Sequence, residues 1–200
     1  RFMAFRHLGL FPEQRPHWAW MRERIVAAGR PLKILNLFGY TGAASLIAAG
    51  AGASVTHVDA SKKAIAWAKD NQQASKIDDK AVRWICEDAR KFVAREIRRG
   101  NRYDGILLDP PKYGRGAEGE VWKFETDIMP LLTDCAALLS DDAAFMILTA
   151  YTMRLSSLSL AHMMHDVAPK RGLIDHGELL LGDESGVRPL PTSLFARWSA

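Results

Sequence analysis

Apolar and polar positions alternate along this chain in a repeating order of strand and helix. Short runs rich in Val, Ile and Leu predict buried strands over 32–38, 54–60, 81–86, 103–109 and 143–150. The segments between these runs have helical spacing, over 43–51, 61–75, 89–100 and 121–139. Because strands that alternate with helices pack into a parallel sheet covered on both faces, the pattern predicts a doubly wound α/β fold.

The two ends of the chain depart from this order. Residues 1–30 are rich in aromatic residues, Arg and Pro, and predict an N-terminal segment with one helix over 15–29. Near the other end, strands at 172–182 and 192–199 follow each other without a helix between them, so we expect them to pair antiparallel. The predicted architecture for residues 31–200 is a Rossmann-like, doubly wound seven-stranded sheet, mostly parallel with an antiparallel C-terminal strand pair.

Composition and charge narrow the class of protein. The 200 residues are 48% hydrophobic and 25% charged, as in soluble globular proteins, and no apolar run reaches the roughly 18 residues of a membrane span. No signal peptide is evident, and Cys86 and Cys135 have neither metal-site nor disulfide spacing, which favours a reducing, cytoplasmic location. The net charge of +4 permits a nucleic-acid partner without requiring one. The chain starts at Arg1 rather than Met, as a fragment of a longer protein would.

Residues suited to ligand binding follow the first three strands, at the edge where open α/β sheets bind ligands. The stretch "FGYTG" at 38–42 offers two glycines for a tight turn that can cradle a phosphate, although the spacing is not G-x-G-x-x-G and a plain strand-to-helix turn explains it as well. Asp59 can accept hydrogen bonds from two ribose hydroxyls, or serve only as an acid near a helix N-terminus. Asp88 can accept from an exocyclic amine such as adenine N6, or cap the next helix.

The stretch "DPPKYGRG" at 109–116 follows the fourth strand and carries more chemistry than a turn needs. We expect Asp109 to face the same crevice as the other acids. Pro110 and Pro111 should stiffen the turn and leave their carbonyl oxygens free of local N–H donors, so that they can accept from a planar amine.

The second half of this stretch suits a nucleic-acid substrate. Tyr113 offers a stacking face for a base, and Lys112 and Arg115 can hold a phosphate. Glycines at 114, 116 and 119 predict a mobile loop that orders on substrate. The alternative is a surface loop with a solvated run of charges.

The order of these features, a glycine turn, two acids and an Asp-Pro-Pro stretch after four successive strands, resembles the class I S-adenosylmethionine-dependent methyltransferases over residues 30–150. The whole chain is similar to the RlmI/RlmK-like ribosomal RNA methyltransferases, which share stretches like "LNLFGYTG", "LDPPKYGRG" and "RPLPTSLFARW". The resemblance implies transfer of a methyl group from S-adenosylmethionine to a nucleobase of RNA, with ribosomal RNA favoured.

The resemblance also implies a role for each part of the site. Residues 31–200 are then the catalytic domain, and residues 1–30 cover the cofactor. The implied cofactor contacts are Phe38, Gly39, Tyr40, Thr41 and Gly42 at the methionine end, Asp59 at the ribose, Asp88 at the adenine amine, and Asp109, Glu13 and Gln14 as further polar contacts. The implied catalytic residues are Asp109, Pro110, Pro111 and Tyr113, and the substrate contacts are Lys112, Tyr113 and Arg115.

One departure from the family pattern bears on the chemistry. Members that methylate C5 of cytosine use a cysteine just after the fifth strand, where this chain has "ILTAYTMRLSS" at 147–157. Cys86 precedes the adenine-site acid and Cys135 lies in a predicted helix, so we expect transfer to a nitrogen, or to an oxygen, rather than covalent C5 chemistry. His162 and His165 share a helical face without a third ligand, so no metal site is predicted.

Other functions stay open on the sequence alone. The basic stretch 90–102 suits RNA, but a solvated helix face explains it too. A nicotinamide-dependent oxidoreductase would use the glycine turn and Asp59, yet it leaves Asp88 and the Asp-Pro-Pro stretch unexplained. A module that binds cofactor or RNA without turnover, and a methyltransferase acting on a protein or a small molecule, also fit the pattern.

Overall fold

Seven strands form one central sheet in the computed structural model, which describes residues 9–79, 81–116, 119–151, 153–182, 186 and 188–200. The strands of these residues are β1 (Lys33–Leu37), β2 (Ser54–Asp59), β3 (Val82–Cys86), β4 (Gly105–Leu108), β5 (Tyr113–Arg115), β6 (Val121–Lys123), β7 (Phe145–Tyr151), β8 (Leu173–Leu181) and β9 (Leu190–Ser199). The sheet order is β3-β2-β1-β4-β7-β9-β8, while β5 and β6 pair separately as an antiparallel hairpin.

Helices fill the connections and cover both faces of this sheet. Those of the described residues are α1 (Arg15–Ala27), which follows a 3-10 turn over Pro12–Gln14, α2 (Ala43–Gly50), α3 (Lys62–Ala74), α4 (Ala89–Arg98), α5 (Phe124–Ala137) and α6 (Ser157–Val167). Two hydrophobic clusters form the core: α1 and α2 pack into one, and α4, α5 and α6 pack into the other. None of these helices has the length and apolar character to cross a membrane.

The central strands supply side chains to both clusters by strict alternation. Leu35 and Leu37 of β1 pack in the cluster under α4, α5 and α6, whereas Ile34 packs in the cluster under α1 and α2. In β7, Met146 belongs to the first cluster and Phe145 to the second. Because both faces are buried, these strands are continuous apolar runs, which is the pattern that predicted them.

The strand directions confirm the predicted sheet and place the antiparallel strand. Strands β1, β2, β3, β4 and β7 pair in parallel, so their carboxyl ends meet at one edge. Strand β9 runs antiparallel to both of its neighbours, β7 and β8, and lies between them. The predicted Rossmann-like, mostly parallel sheet is therefore confirmed, with β9 as the strand of reversed direction.

Local signals for helix ends are also confirmed. Ser61 caps α3, since its side chain accepts a 3.2 Å hydrogen bond from Ala64 N. Helix α4 ends at Arg98, and Gly100 beyond it has the left-handed φ of 67° that terminates many helices.

Two expectations about the region after β4 are corrected. The helix predicted over 121–139 begins at Phe124, because residues 121–123 form β6. Tyr113 to Arg115, expected in an irregular loop, form β5, and Gly114 pairs with Trp122 in the hairpin. Trp122 is buried, so packing of this one indole organises a segment whose glycines suggested a loop. The first eight residues of the predicted N-terminal segment lie outside the described residues.

Candidate active site

The carboxyl ends of β1, β2, β3, β4 and β7 surround a cleft of about 740 Å³. The predicted residues in its wall are Phe38, Tyr40, Asp59, Asp88, Asp109, Pro110, Pro111, Lys112 and Arg115. A smaller pocket of about 60 Å³ adjoins the cleft and shares Phe11, Phe38, Tyr40 and Asp109 with it. The parallel topology thus brings together residues from five strand ends that are far apart in sequence.

The turn after β1 has left-handed backbone at two residues that are not glycine. Phe38 and Tyr40 have φ values of 56° and 51°, which side-chain-bearing residues rarely adopt. Gly39 between them is required for a different reason: a Cβ there would lie 2.3 Å from His57 Cε1 on β2. The Gly39 N–H also donates to Val58 O at 3.2 Å. The turn is therefore pressed against β2, and this packing holds the unusual backbone in place.

The predicted methionine-end residues divide between the pocket and the core. Phe38, Gly39, Tyr40 and Thr41 line the smaller pocket. Gly42 is absent from the walls of both pocket and cleft. Its φ is 85°, and a Cβ there would lie 2.8 Å from Trp84 Cη2, so glycine is needed at this position for the start of α2 to approach β3.

Asp59 ties two backbone segments together at the end of β2. Its Oδ2 accepts from Tyr40 N at 2.9 Å, and its Oδ1 accepts from Ser61 N at 2.8 Å. Each carboxylate oxygen retains a second lone pair, so Asp59 can still accept two hydroxyl groups from the cleft. Burial raises the pKa of Asp59, although the two donated bonds act in the opposite direction.

Asp88 is the N-cap of α4, as one of its two predicted roles required. Its Oδ1 accepts from Arg90 N at 3.0 Å and from Lys91 N at 3.1 Å. The Arg90 Nε atom lies 3.7 Å from the same oxygen. Because these contacts all involve Oδ1, the Oδ2 side can serve the cleft that Asp88 lines. Its contact with an adenine amine stays a prediction.

Asp109 follows β4 and occupies the wall shared by the cleft and the smaller pocket. Its Oδ2 accepts from Gln14 Nε2 at 3.2 Å. Its Oδ1 is shielded from solvent and has no hydrogen-bond partner among the described residues. Burial, and then the nearby Glu13 carboxyl, raise the pKa of Asp109 to about 7. A bound cation or an N–H donor at Asp109 would favour the charged carboxylate and lower this pKa again.

The two prolines after Asp109 differ in what their carbonyl groups can do. Pro110 is buried in the wall of the cleft. The Pro111 carbonyl accepts a 2.7 Å hydrogen bond from Trp122 Nε1, so the expectation that it lacks a local donor is wrong. The reason is the hairpin, which folds the indole back onto the turn, where its ring lies 5.1 Å from that of Phe38.

Residues 9–14, which we call the N-terminal strap, lie over the junction of the pocket and the cleft. Thr41 Oγ1 donates to Gly9 O at 2.6 Å, which fastens the start of the strap to the turn after β1. The Phe11 ring lies 5.7 Å from the Tyr40 ring and 5.8 Å from the Tyr151 ring. The strap therefore bridges the ends of β1 and β7.

The two polar residues of the strap take different positions. Glu13 and Gln14 are both buried. Gln14 lines the smaller pocket, and its Nε2 donates to Tyr151 Oη at 2.8 Å as well as to Asp109. Glu13 is not among the lining residues of the pocket or the cleft, and it acts through its charge on Asp109.

The predicted substrate contacts lie on the hairpin at the mouth of the cleft. Lys112 and Arg115 are exposed and line the cleft. Tyr113 is 51% exposed and is not among the lining residues. Its hydroxyl accepts a 3.1 Å hydrogen bond from Arg115 Nε, which ties the exposed ring to a residue that lines the cleft. Base stacking on Tyr113 stays a prediction.

Three aromatic residues of the site were missed from the sequence. Phe11, Trp122 and Tyr151 all line the cleft. Tyr151 could have been found from the sequence, because it lies at the carboxyl end of the fifth predicted strand. The other site residues lie at the carboxyl ends of their own strands in the same way. Phe11 belongs to the N-terminal segment that was expected to cover the cofactor, although it was not singled out, whereas Trp122 carried no such signal, since its position depends on the hairpin.

The cleft is acidic in a chain whose net charge is +4. Asp59, Glu87, Asp88 and Asp109 line it, against two basic residues at its mouth, Lys112 and Arg115, and Glu13 is buried next to Asp109. Such a wall favours a positively charged ligand. Among the described residues, no group of three or more His, Cys, Asp or Glu side chains is placed to hold a metal ion.

The family follows from comparison with known proteins. A family model described as S-adenosylmethionine-dependent methyltransferase matches residues 4–140, and the chain belongs to this family. Ribosomal RNA large subunit methyltransferase K/L of Hahella chejuensis is 35% identical over 129 residues, covering 64% of this chain and 17% of that protein. The protein of the same name from Desulfotalea psychrophila is 34% identical over 134 residues, covering 66% and 18%. The chain thus spans less than a fifth of the length of these curated relatives.

Solved structures agree with the family. A SAM-dependent methyltransferase from Agrobacterium tumefaciens has a TM-score of 0.95 and 52% identity, covering all of this chain and 66% of that one. Magnesium protoporphyrin IX methyltransferase from Synechocystis, with bound SAM, shares the fold at a TM-score of 0.62 and 15% identity, covering 94% and 80%. The predicted family and its cofactor, S-adenosylmethionine, are confirmed.

The residues present fit this cofactor. S-adenosylmethionine carries a sulfonium and an α-ammonium group, and the acidic wall of the site, together with Glu13 buried beside it, can compensate positive charge. Its ribose needs hydroxyl acceptors, which Asp59 can provide, and its adenine needs an acceptor for the amine, which Asp88 can provide.

Proposed function

We propose that this chain transfers the methyl group of S-adenosylmethionine to a nitrogen of a nucleobase in RNA, with ribosomal RNA favoured. One observation carries the proposal: Asp109, with a solvent-shielded oxygen that lacks a partner among the described residues, lies in the wall of the cleft, and neither Cys86 nor Cys135 does. The curated relatives named as ribosomal RNA large subunit methyltransferases support RNA as the acceptor.

Positioning accounts for most of the rate in this mechanism. Bound S-adenosylmethionine supplies a methyl group that its sulfonium already activates, so the protein has mainly to align the acceptor. Asp109 accepts an N–H of the target base, which orients the base and offsets the positive charge that develops on its nitrogen. The proton of that N–H passes to Asp109 or to water once the methyl group has been transferred and S-adenosylhomocysteine is the leaving group. The carbonyl of Pro110, buried in the same wall, is a second acceptor.

The two cysteines support nitrogen as the target rather than cytosine C5. Cys86 is exposed at the end of β3, with its Sγ 3.7 Å from Ala60 O, and is not a lining residue of the cleft. Cys135 is buried in α5, and burial raises the pKa of its thiol well above the ordinary range. A nucleophilic thiolate beside Asp109 is therefore not provided by either residue.

The same function assigns the remaining residues. Residues 38–41 hold the methionine end of the cofactor, Asp59 the ribose and Asp88 the adenine amine, while the N-terminal strap covers the bound cofactor. Lys112 and Arg115 contact RNA phosphates at the mouth, and Tyr113 stacks on a neighbouring base. Residues 31–200 form the catalytic domain, and the cytoplasm is the proposed location.

The test is transfer of tritiated methyl groups to unmodified large-subunit ribosomal RNA made by transcription in vitro, followed by digestion and mass spectrometry of the labelled nucleoside. We expect a base methylated on nitrogen. Asp109→Ala should nearly abolish transfer while S-adenosylhomocysteine affinity stays within a few fold, and Cys86→Ala should leave transfer unchanged.

Two results would contradict the proposal in different ways. Loss of transfer in Cys86→Ala, with a C5-methylated product, would establish covalent chemistry. Cofactor binding without any transfer to RNA, together with labelling of a protein or a small molecule, would leave the family intact and change the acceptor class.

A further inference from the structure

The Gln14 side chain joins two residues of the cleft that come from different strand ends. Its Nε2 lies 3.2 Å from Asp109 Oδ2 and 2.8 Å from Tyr151 Oη. An amide nitrogen carries two hydrogens, and this geometry uses both of them. Asp109 and Tyr151 line the large cleft, whereas Gln14 lines only the smaller pocket. The amide therefore lies behind the two groups that face the cleft.

This arrangement fixes which atoms of the two partners are left for a ligand. Since Asp109 Oδ2 accepts from Gln14, the oxygen without a partner among the described residues is Oδ1. Tyr151 accepts the second amide hydrogen with its oxygen, and the buried Ser193 hydroxyl is available as a further hydrogen-bond partner beside it, so the Tyr151 hydroxyl hydrogen can go to Ser193 or to a ligand. The same amide therefore holds both side chains, and Oδ1, although shielded from solvent, is the Asp109 oxygen that Gln14 leaves to a ligand.

The strap supports this geometry from outside. Phe11 packs between the rings of Tyr40 and Tyr151, at centroid distances of 5.7 and 5.8 Å. Gln14 itself is buried, so water does not compete for its amide. Glu13 next to it disfavours a second negative charge at Asp109, whereas a bond donated by Gln14 favours the carboxylate form that an N–H of a base requires.

We propose that Gln14 is a positioning residue for methyl transfer, and that it orients Asp109 Oδ1 and the Tyr151 hydroxyl so that they contact adjacent donor and acceptor atoms of the target base. Tyr151 is then a substrate-binding residue. This inference rests on the proposed function. It differs from the role that the family resemblance implies for Gln14, a polar contact of the cofactor.

Gln14→Met and Gln14→Glu test the inference, with Tyr151→Phe for the second contact and the neighbouring exposed Arg15→Ala as a control. Three quantities are measured on the full chain: affinity for S-adenosylhomocysteine by calorimetry, kcat and KM for transfer to transcribed ribosomal RNA, and the pKa of the Asp109 carboxyl by carbon-detected NMR without cofactor. Melting temperatures identify any variant that fails to fold.

We expect Gln14→Met to bind S-adenosylhomocysteine within threefold of wild type and to lose tenfold or more in kcat. The pKa of Asp109 should rise in Gln14→Met, because a donor to the carboxylate is gone, and rise further in Gln14→Glu, because a like charge is added. Glu13 and Tyr151 also face Asp109, so the NMR titration is repeated in a Glu13→Gln background. Tyr151→Phe should lower kcat or raise the KM for RNA while leaving cofactor affinity unchanged.

Weakening of cofactor binding by tenfold in Gln14→Met, with kcat preserved, would overturn the inference and make Gln14 a cofactor contact. An unchanged pKa of Asp109 in both Gln14 variants would also overturn it. If wild-type protein methylates no RNA, the proposed function fails, yet the pKa series still decides whether Gln14 controls Asp109.

Discussion

The backbone N–H of Tyr40 donates a 2.9 Å hydrogen bond to Asp59 Oδ2. This bond connects the turn after β1 to the acid after β2, and it holds a residue whose φ is 51°. The acid that we propose as the acceptor of the ribose hydroxyls therefore also shapes the turn that lines the smaller pocket. A substitution at Asp59 should affect both parts of the cofactor site together.

Asp59→Ala should weaken binding of S-adenosylhomocysteine at least tenfold, which corresponds to about 1.4 kcal/mol. Asp59→Asn should be intermediate, because the amide oxygen can still accept one bond while the charge is lost. Calorimetric titration measures both affinities. Asp70→Ala, an exposed acid on α3, is the matched control and should bind normally. Affinity of Asp59→Ala within twofold of wild type would show that Asp59 serves only the backbone.

Gly39→Ala should destabilise the fold, because the added Cβ would lie 2.3 Å from His57 Cε1 and 2.5 Å from its Nδ1. His57 is fully buried and cannot easily move, so we expect a loss of about 1–3 kcal/mol in the free energy of unfolding. Gly50→Ala, at the end of α2, is the control. Its added Cβ would lie 3.5 Å from Ile77 Cδ1, which is an ordinary van der Waals distance. Denaturant unfolding measures the change in the free energy of unfolding relative to wild type, which should be clearly larger for Gly39→Ala than for Gly50→Ala or opposite in sign. Equal stabilities of the two variants would contradict the packing argument.

The positions of the strands were predictable because burial on both faces leaves a continuous apolar run. The same reasoning located Asp59, Asp88 and Asp109, since each lies at the carboxyl end of such a run or within two residues of it. Helix capping by Ser61 and Asp88 was also predictable, because a cap bond joins residues within one turn.

Contacts between distant segments were not predictable in this way. Gln14 and Asp109 are 95 positions apart, and neither residue type indicates the other as its partner. The hairpin has strands of three residues, too short for any period to show, and its glycines indicate a loop. In the turn after β1, Phe38 and Tyr40 have left-handed backbone, whereas Gly39 between them does not. Glycine is needed at position 39 because of close packing against His57, a contact that the sequence does not show.

Asp109→Asn should change how stability depends on pH. Burial and Glu13 raise the pKa of Asp109 to about 7 in the folded protein, above its ordinary value near 4. The contribution of this raised pKa to the free energy of unfolding is complete below about pH 4 and is lost as pH rises through about 7. In the cofactor-free protein, the free energy of unfolding of the Asp109→Asn variant should therefore increase relative to that of wild type between pH 4 and 7. The increase should be no more than about 1.4 kcal/mol per pH unit, and the difference should be constant above pH 7. A constant difference across this range would contradict a raised pKa.

Paired charge removals should distinguish the two basic surfaces that can contact RNA. Lys112 and Arg115 are exposed at the mouth of the cleft, whereas Arg98 and Arg102 are exposed near the start of β4, at the opposite end of the sheet. Lys112→Ala combined with Arg115→Ala should weaken binding of a fluorescent single-stranded RNA and reduce the slope of log affinity against log salt by about 1.4 if both residues contact phosphates. Arg98→Ala combined with Arg102→Ala removes the same charge and should leave the slope nearly unchanged. If this control pair has the larger effect, the basic stretch 90–102 is the RNA surface, and the hairpin at the mouth does not guide the substrate into the cleft.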